Sequence, residues 1–225
     1  MDIKALAQKY EPYIIERRRY FHAHPELSFK EWETTKALVA EFEKMGMEIQ
    51  TFPDYPGLIA TLDTGKPGRT VMLRADIDAL PVKEGTGLDF ASQNEGVMHA
   101  CGHDNHMAML LGAAHILLEK KDELKGKVKF LLQSGEEMAC GAKYYVDHNI
   151  LDGVDAIFGQ HIWGTLDAPY VCVASGNRMA SCDNFTIRVK GLQSHGSAPQ
   201  DGHDAIVAAS AIVMALQTYV SRKNN

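Results

Sequence analysis

The fold is decided by residues 127–133, K-V-K-F-L-L-Q, followed at once by S-G-E-E at residues 134–137. The apolar centre of the first run predicts a strand buried in a sheet that helices cover. Residues 156–158, A-I-F, predict a second buried strand. Hydrophobic spacing predicts helices at residues 104–120 and 141–148. Strands that alternate with helices in this way indicate an α/β layered fold with a sheet covered by helices.

The N-terminal part of the chain predicts further helices and strands. The first 22 residues and residues 30–45 have helical spacing, and Gly46 would end the second helix. Short β-rich runs follow at residues 48–52, 58–63 and 70–74. The glycine- and proline-rich G-K-P-G at residues 65–68 predicts a hairpin between the last two runs.

The pattern changes after residue 176. Residues 185–190, F-T-I-R-V-K, alternate like a half-exposed strand, and a long helix is predicted from about Asp204 to Val220. A strand and a helix do not close a sheet of their own. We therefore expect the last part of the chain not to complete a sheet by itself.

Composition narrows the classes of protein. The chain has 225 residues, of which 45% are hydrophobic, so a packed core is expected. A net charge of −6 without a basic cluster argues against nucleic acid and anionic membranes as partners. Since no apolar run suits a signal peptide or a membrane span and the four cysteines are dispersed, we expect a cytoplasmic protein with reduced thiols.

The densest chemistry lies at residues 98–106, M-H-A-C-G-H-D-N-H, which combine one thiol with three imidazoles. Thiolate and imidazole bind first-row divalent metals. Gly102 permits a turn in which Cys101 and His103 face a single ion. The alternative, a buried cysteine beside a helix-capping histidine, is the commoner outcome for an isolated C-x-H pair. The flanking His99 and His106 are expected to serve packing or to hydrogen-bond the ligands.

Adjacent carboxylates follow the buried strand, at the end where α/β enzymes place their sites. Because neighbours on an extended backbone point to opposite sides, one of Glu136 and Glu137 can bind a metal while the other takes a proton from water. The alternative is a solvated acidic turn.

Three more candidates lie beyond strand ends. His161 follows the run at residues 155–160, although a lone histidine there is more often a core residue than a ligand. Asp76 or Asp78 can orient a ligand histidine, or can serve a turn. Because all these residues follow consecutive strands, one cleft would gather them, and together they predict the site of a metallohydrolase.

The motifs R-R-x-F-H-x-H-P-E-L-S, A-D-I-D-A-L-P, H-A-C-G-H-D-x-H, G-E-E, Q-H-I-W and S-H-G-S-A-P occur here in that order. In these motifs the chain resembles the metal-dependent amidohydrolases that include hippurate hydrolase, N-acetyl-diaminopimelate deacetylase, N-acyl-amino-acid hydrolases and plant auxin-conjugate hydrolases. The resemblance covers essentially the whole chain. It implies a zinc-exopeptidase-like catalytic domain with a mixed sheet covered by helices, of which residues 1–176 are the N-terminal part. It also implies the start of a smaller α+β lid and dimerisation domain at residues 177–225.

The resemblance also implies roles for individual residues. Two divalent ions would be held, with one thiolate bridging them, by Cys101, His103, Glu137 and His161. Glu136 would be the general base, and Asp78 would orient the site. His195 of the lid would steady the substrate or the developing oxyanion across a dimer. Manganese or zinc is expected, and cobalt and nickel also suit the mixed donors.

The implied reaction is hydrolysis of the amide bond of an N-acyl amino acid or short peptide, in a homodimer if the lid is complete. Members of the family are longer, and their later residues add strands, helices and a last metal-ligating histidine. We therefore expect a C-terminally truncated chain. Three alternatives follow: an inactive fragment, half of a split enzyme with a separately encoded C-terminal half, or a mononuclear or structural-zinc protein that uses Cys101, His103 and His161.

Overall fold

The computed structural model describes residues 2–177, 179 and 185–223. The chain forms two compact units, Met1–Arg178 and Met179–Asn225. In the described part, no helix combines the length and apolar character that crossing a bilayer demands.

A five-stranded mixed sheet forms the centre of the first unit. Its strands are β1 (Glu48–Phe52), β2 (Tyr55–Asp63), β3 (Thr70–Asp76), β4 (Lys127–Gln133) and β5 (Ala156–Gly159). The spatial order is β1-β2-β4-β3-β5. The β1–β2 and β2–β4 pairs are antiparallel, and β3 pairs in parallel with both β4 and β5. The predicted mixed sheet is confirmed.

Helices cover this sheet, and the alternation of β4 explains its apolar sequence. The helices are α1 (Ile3–Ala23), α2 (Trp32–Lys44), α3 (His103–Glu119) and α4 (Gly141–Asp147). Phe130 and Leu132 pack into the main core with residues of α2 and α3, such as Phe42 and Leu111. Leu131 belongs to a second cluster that contains residues of β1, β2, β3 and α4. Successive side chains of β4 thus enter two apolar layers, as period-two alternation requires.

Parallel pairing brings the ends of β3 and β4 together. Asp76, the last residue of β3, pairs with Gln133, the last of β4. The pairing continues past the strands, because the Ile77 N–H donates to the Gln133 carbonyl at 3.0 Å. The loops that carry Asp78 and the adjacent glutamates therefore leave the sheet at the same end.

A buried charge network fixes the start of α3. The Asp104 carboxylate is fully buried, and its Oδ2 lies 2.9 Å from Arg18 Nε and 2.8 Å from His22 Nδ1, both on α1. The second ring nitrogen of His22 lies 3.1 Å from Glu84. Because an unpaired buried carboxylate is costly, these contacts hold α1 against the first turn of α3.

The predicted hairpin at residues 65–68 is wrong. The chain does turn there, and Gly65 has a φ of +70°. However, β4 lies between β2 and β3 and pairs with both. Turn residues indicate where the chain reverses but not which strands pair, and the strand that is apolar on both faces takes the central place.

The second unit contains α5 (Ala205–Lys223) and a short 3₁₀ turn at Pro199–Asp201. Leu192 and His203 form an isolated antiparallel bridge, with mutual N–H···O distances of 3.0 and 2.9 Å. The strand predicted at residues 185–190 is wrong, because these residues form no strand in the structure. An alternating sequence becomes a strand only where a partner pairs with it, and none of the described residues does.

We expect Leu132→Ala to lower the free energy of unfolding by about 2–5 kcal/mol, because this side chain is fully buried in the main core. Val71→Ala on the adjacent strand is the control. Val71 is 36% exposed, so we expect a loss below about 1 kcal/mol. Urea denaturation followed by circular dichroism measures both, and equal losses would contradict the core assignment.

Candidate metal centre

His103 lies at the start of α3 and is fully buried. The turn before it requires Gly102, which has a φ of +90°, and a Cβ there would lie 2.3 Å from Ile162 Cδ1. His103 Nδ1 donates to the Asp78 backbone carbonyl at 2.8 Å, which leaves Nε2 as the unprotonated nitrogen when the ring is neutral. Nε2 is buried and has no hydrogen-bond partner. Its lone pair is therefore available to a cation.

Cys101 and His161 meet beside His103. Cys101 Sγ lies 3.3 Å from His161 Nε2. The other ring nitrogen of His161 contacts the Ile162 carbonyl, so the nitrogen that faces the sulfur is the one free to bind. Burial, together with the negative charge of Glu137, raises the pKa of the Cys101 thiol to about 12. Without a cation the thiol is protonated at neutral pH, and a bound divalent cation would stabilise its thiolate form.

Glu136 and Glu137 lie in a turn and not on the extended backbone that we expected. The turn is closed by the Ala139 N–H, which donates to the Glu136 carbonyl at 2.8 Å, and it follows Gly135, whose φ is +71°. As a result, both carboxylates approach His103 Nε2. The distance from this nitrogen is 3.8 Å to a carboxylate oxygen of Glu136 and 3.7 Å to one of Glu137. The expectation that they point to opposite sides is wrong.

The two glutamates differ in exposure. The Glu137 side chain is 18% exposed, against 40% for Glu136. Glu137 Oε1 is buried without a hydrogen-bond partner, and burial raises the pKa of this carboxyl. Glu136 therefore remains accessible to water, whereas Glu137 is placed like a ligand.

Asp78 links the histidine to the glutamate turn. Its Oδ2 accepts from Ser28 Oγ at 2.7 Å and from the Glu137 N–H at 2.9 Å. Its Oδ1 lies 3.3 Å from His103 Nδ1. Burial alone would raise the pKa of Asp78, but these donors outweigh it and hold the pKa below its usual value. The position suits the predicted orienting role.

Asp76 and His106 support the residue next to His161. His106 Nδ1 lies 2.5 Å from Asp76 Oδ1, and His106 Nε2 accepts from the Ile162 N–H at 3.0 Å. Since Nε2 is an acceptor, the proton sits on Nδ1 and points at Asp76. Burial would raise the pKa of Asp76, but the His106 hydrogen bond and the Arg74 charge keep it well below its usual range. The sequence left His106 with only a general supporting role.

Among the residues that the structure describes, three groups of potential ligand atoms overlap at His103, each with its atoms within 4.8 Å of one another. They are Cys101–His103–His161, His103–Glu136–Glu137 and Asp76–His103–His106. The third group is hydrogen-bonded internally, and Ile162 already occupies the second nitrogen of its His106. We therefore take the third group as support for the first two.

The first two groups fit a metal. An unpartnered buried polar atom costs about 1–3 kcal/mol, and two such atoms, His103 Nε2 and Glu137 Oε1, lie 3.7 Å apart. A divalent cation would satisfy both. Sulfur, nitrogen and oxygen donors together suit zinc, manganese, cobalt or nickel.

His195, the remaining predicted site residue, belongs to the second unit. It is exposed, its Nδ1 lies 2.8 Å from Ser197 Oγ, and the Ser197 N–H donates to the same nitrogen at 3.2 Å. Its part in catalysis stays a prediction.

The chain belongs to the peptidase family M20/M25/M40, whose model matches residues 72–221. It is 41% identical over 222 residues to an N-acyl-L-amino acid amidohydrolase of Geobacillus stearothermophilus, covering 98% of this chain and 60% of that protein. It is 40% identical over 224 residues to thermostable carboxypeptidase 1 of Saccharolobus solfataricus, covering 98% and 57% respectively.

A solved structure supports the same assignment. A dinuclear metal binding peptidase of the M20 family from Bacillus subtilis matches 72% of this chain and 45% of its own, with 44% identity and a TM-score of 0.67. The predicted family is thus confirmed. The chain spans little more than half the length of the curated relatives it matches.

We expect His106→Ala to weaken zinc binding about 10- to 100-fold, because the backbone beside His161 loses its support. His148→Ala, an exposed histidine at the end of α4, is the control and should leave affinity unchanged. Competition with a chromophoric chelator measures both. Wild-type affinity in a folded His106→Ala protein would contradict the supporting role.

Proposed function

We propose that this chain provides the metal centre of an amidohydrolase that cleaves the amide bond of N-acyl amino acids. Cys101, His103, Glu137 and His161 would hold two divalent ions, with Cys101 between them, and Glu136 would be the general base. The proposal rests on one observation. His103 Nε2 is buried without a hydrogen-bond partner and lies 3.7–3.8 Å from carboxylate oxygens of both glutamates.

When bound, the ions would polarise the scissile carbonyl and lower the pKa of the attacking water towards ~7. The protein's own residues supply the proton transfers. Glu136, the more exposed of the two glutamates, takes a proton from the water while the oxygen of that water attacks the carbonyl carbon of the substrate. It then gives that proton to the amine nitrogen as the C–N bond breaks. Such acid–base help contributes about 100- to 10,000-fold.

Asp78 would keep this geometry fixed. Its carbonyl holds the proton on His103 Nδ1, and its carboxylate holds the Glu137 N–H. The tautomer of the histidine and the position of the neighbouring glutamate are thus set before a substrate arrives.

The substrate class is proposed from the relatives. One is named for N-acyl amino acids and another as a carboxypeptidase, and both names describe an amide formed by the α-nitrogen of an amino acid. We propose N-acyl amino acids first and short peptides second. We also propose a cytoplasmic location, where the thiol of Cys101 would stay reduced. We further propose that residues 177–225 are part of a lid and dimerisation domain, with His195 near the substrate, and that the partner is a second copy of the chain in a homodimer.

Cys101→Ser should reduce the bound metal from two ions per chain to one or none, because a hydroxyl does not replace a bridging thiolate. The cobalt-loaded protein should also lose its sulfur-to-cobalt charge-transfer absorption. Cys140→Ser, at an exposed cysteine, is the control and should retain both. Elemental analysis and absorption spectra measure the change. Unchanged stoichiometry and spectrum in Cys101→Ser would remove it from the ligand set, and one ion in the wild type would favour a mononuclear site.

Glu136→Gln should retain both ions but lose at least about 100-fold in kcat, because the amide cannot take the proton. Glu33→Gln, at an exposed glutamate of α2, is the control. Hydrolysis of N-acetyl and N-benzoyl amino acids and of dipeptides is measured for the wild type and both variants.

Turnover that survives in Glu136→Gln would contradict the general-base assignment. Metal binding without turnover of any of these substrates in the wild type would contradict the catalytic proposal and leave a metal-binding protein.

A further inference from the structure

Residues 28–31, between α1 and α2, contact two segments of the candidate metal centre: the loop after β3, which carries Asp78, and the turn at residues 134–137 after β4. This 28–31 segment supplies none of the proposed ligands and is not the proposed base. It is anchored on both sides, since the Ala79 N–H donates to the Glu26 carbonyl at 2.8 Å and the Glu26 carboxylate accepts the Thr34 N–H of α2 at 2.7 Å. Its position is therefore fixed relative to the loop after β3.

Glu31 is the residue of this segment whose burial is hardest to explain by the stability of the fold alone. Its side chain is fully buried, and no cationic side chain in the described residues forms an ion pair with it. Burial raises the pKa of this carboxyl to about 7. A buried carboxyl without a cation is costly to retain, so its contacts indicate what it does.

Both oxygens of Glu31 bond to the turn that carries the glutamates. Oε1 accepts a hydrogen bond from the Gly135 N–H at 3.0 Å, and Oε2 accepts one from the Ser134 hydroxyl at 2.7 Å. These two residues immediately precede Glu136 and Glu137. Glu31 thus fixes the point from which both carboxylates extend.

Phe29 and Gly135 show how closely the two backbones meet. Phe29 has a φ of +64°, which a bulky residue adopts only where the surrounding contacts impose it. Gly135 has a φ of +71°, and a Cβ there would lie 2.2 Å from Phe29 Cε1. The third contact is Ser28, which donates to the Asp78 oxygen that also accepts the Glu137 N–H.

We propose that Glu31 is a positioning residue, which holds the turn at residues 134–137 so that Glu137 meets the ion that His103 faces. The inference rests on the proposed function, because it takes Glu137 as a metal ligand. Glu31 acts only through the turn, since its own oxygens contact Ser134 and Gly135.

A double-mutant cycle on zinc affinity tests this role. Glu31→Gln, which keeps the shape of the side chain, should weaken zinc binding about tenfold or more in the full chain. In a Glu137→Ala background the same substitution should have no further effect, because the residue it positions is gone. Glu33→Gln, two residues away and exposed, is the matched control.

An equal loss in both backgrounds, or no loss in either, would overturn the proposal. If Glu31→Gln does not fold, Ser134→Ala removes one of the two bonds to the Glu31 carboxyl from the other side and is tested in the same cycle.

Amide hydrogen exchange in metal-free protein separates this inference from the proposed function. Glu31→Gln should speed exchange of the Glu137 amide at least about tenfold and leave the Leu132 amide of β4 unchanged. The Glu137 amide is informative because it bonds to Asp78 and not to Glu31. Unchanged exchange there would overturn the positioning role, even if zinc binds as proposed. Failure of the wild-type chain to bind zinc would overturn the proposed function, while the exchange result still decides the role of Glu31.

Discussion

The parallel pairing of β3 with β4 is the constraint on which the site depends. It places Asp76 opposite Gln133, so the loops after both strands leave the same end of the sheet. Parallel strands also require a crossover. Here that crossover contains α3, which runs back along the sheet and therefore starts near the strand ends, with His103 as its first residue. One pairing thus collects an aspartate loop, a glutamate turn and a histidine at the N-terminus of a helix.

The electrostatics of this end of the sheet favour a cation. Asp76, Asp78 and two glutamates surround one buried histidine, and the nearby thiol has a pKa of about 12. Each of these four carboxylates has an oxygen 3.3–3.8 Å from a ring nitrogen of His103. Ionised carboxylates gathered around one side chain repel one another in a medium of low dielectric constant. A divalent ion would reduce that repulsion and would stabilise the thiolate form of Cys101 as a ligand. The same arrangement without an ion leaves the unpartnered His103 and Glu137 atoms described above.

The sequence predicted those parts of the site that lie just beyond strand ends. The positions of Cys101, His103, the two glutamates and His161 relative to the predicted strands indicated that one cleft would gather them. Their separate roles were implied by the family resemblance and stay predictions. The pairing of Asp76 with His106 joins residues 30 positions apart, and that of Glu31 with Ser134 joins residues 103 apart. No periodicity encodes such contacts. The same limit explains why the hairpin predicted at residues 65–68 and the strand predicted at residues 185–190 are wrong, because a local pattern does not indicate which segment a strand pairs with.

The groups that would orient the proposed ligands are themselves buried carboxylates from distant parts of the chain. Glu31 comes before α2, Asp76 ends β3, and Asp78 follows it. Each is costly to bury, and an apolar residue of similar size would often stabilise the fold more. Their retention around His103 is understandable if rigid ligand geometry is what the site requires, since a metal centre loses affinity when the residues that support its ligands are loose. The buried carboxylates at this end of the sheet thus lower the stability of the fold but fix the side chains around His103. The apolar layers on both faces of β4 supply the stability of the unit.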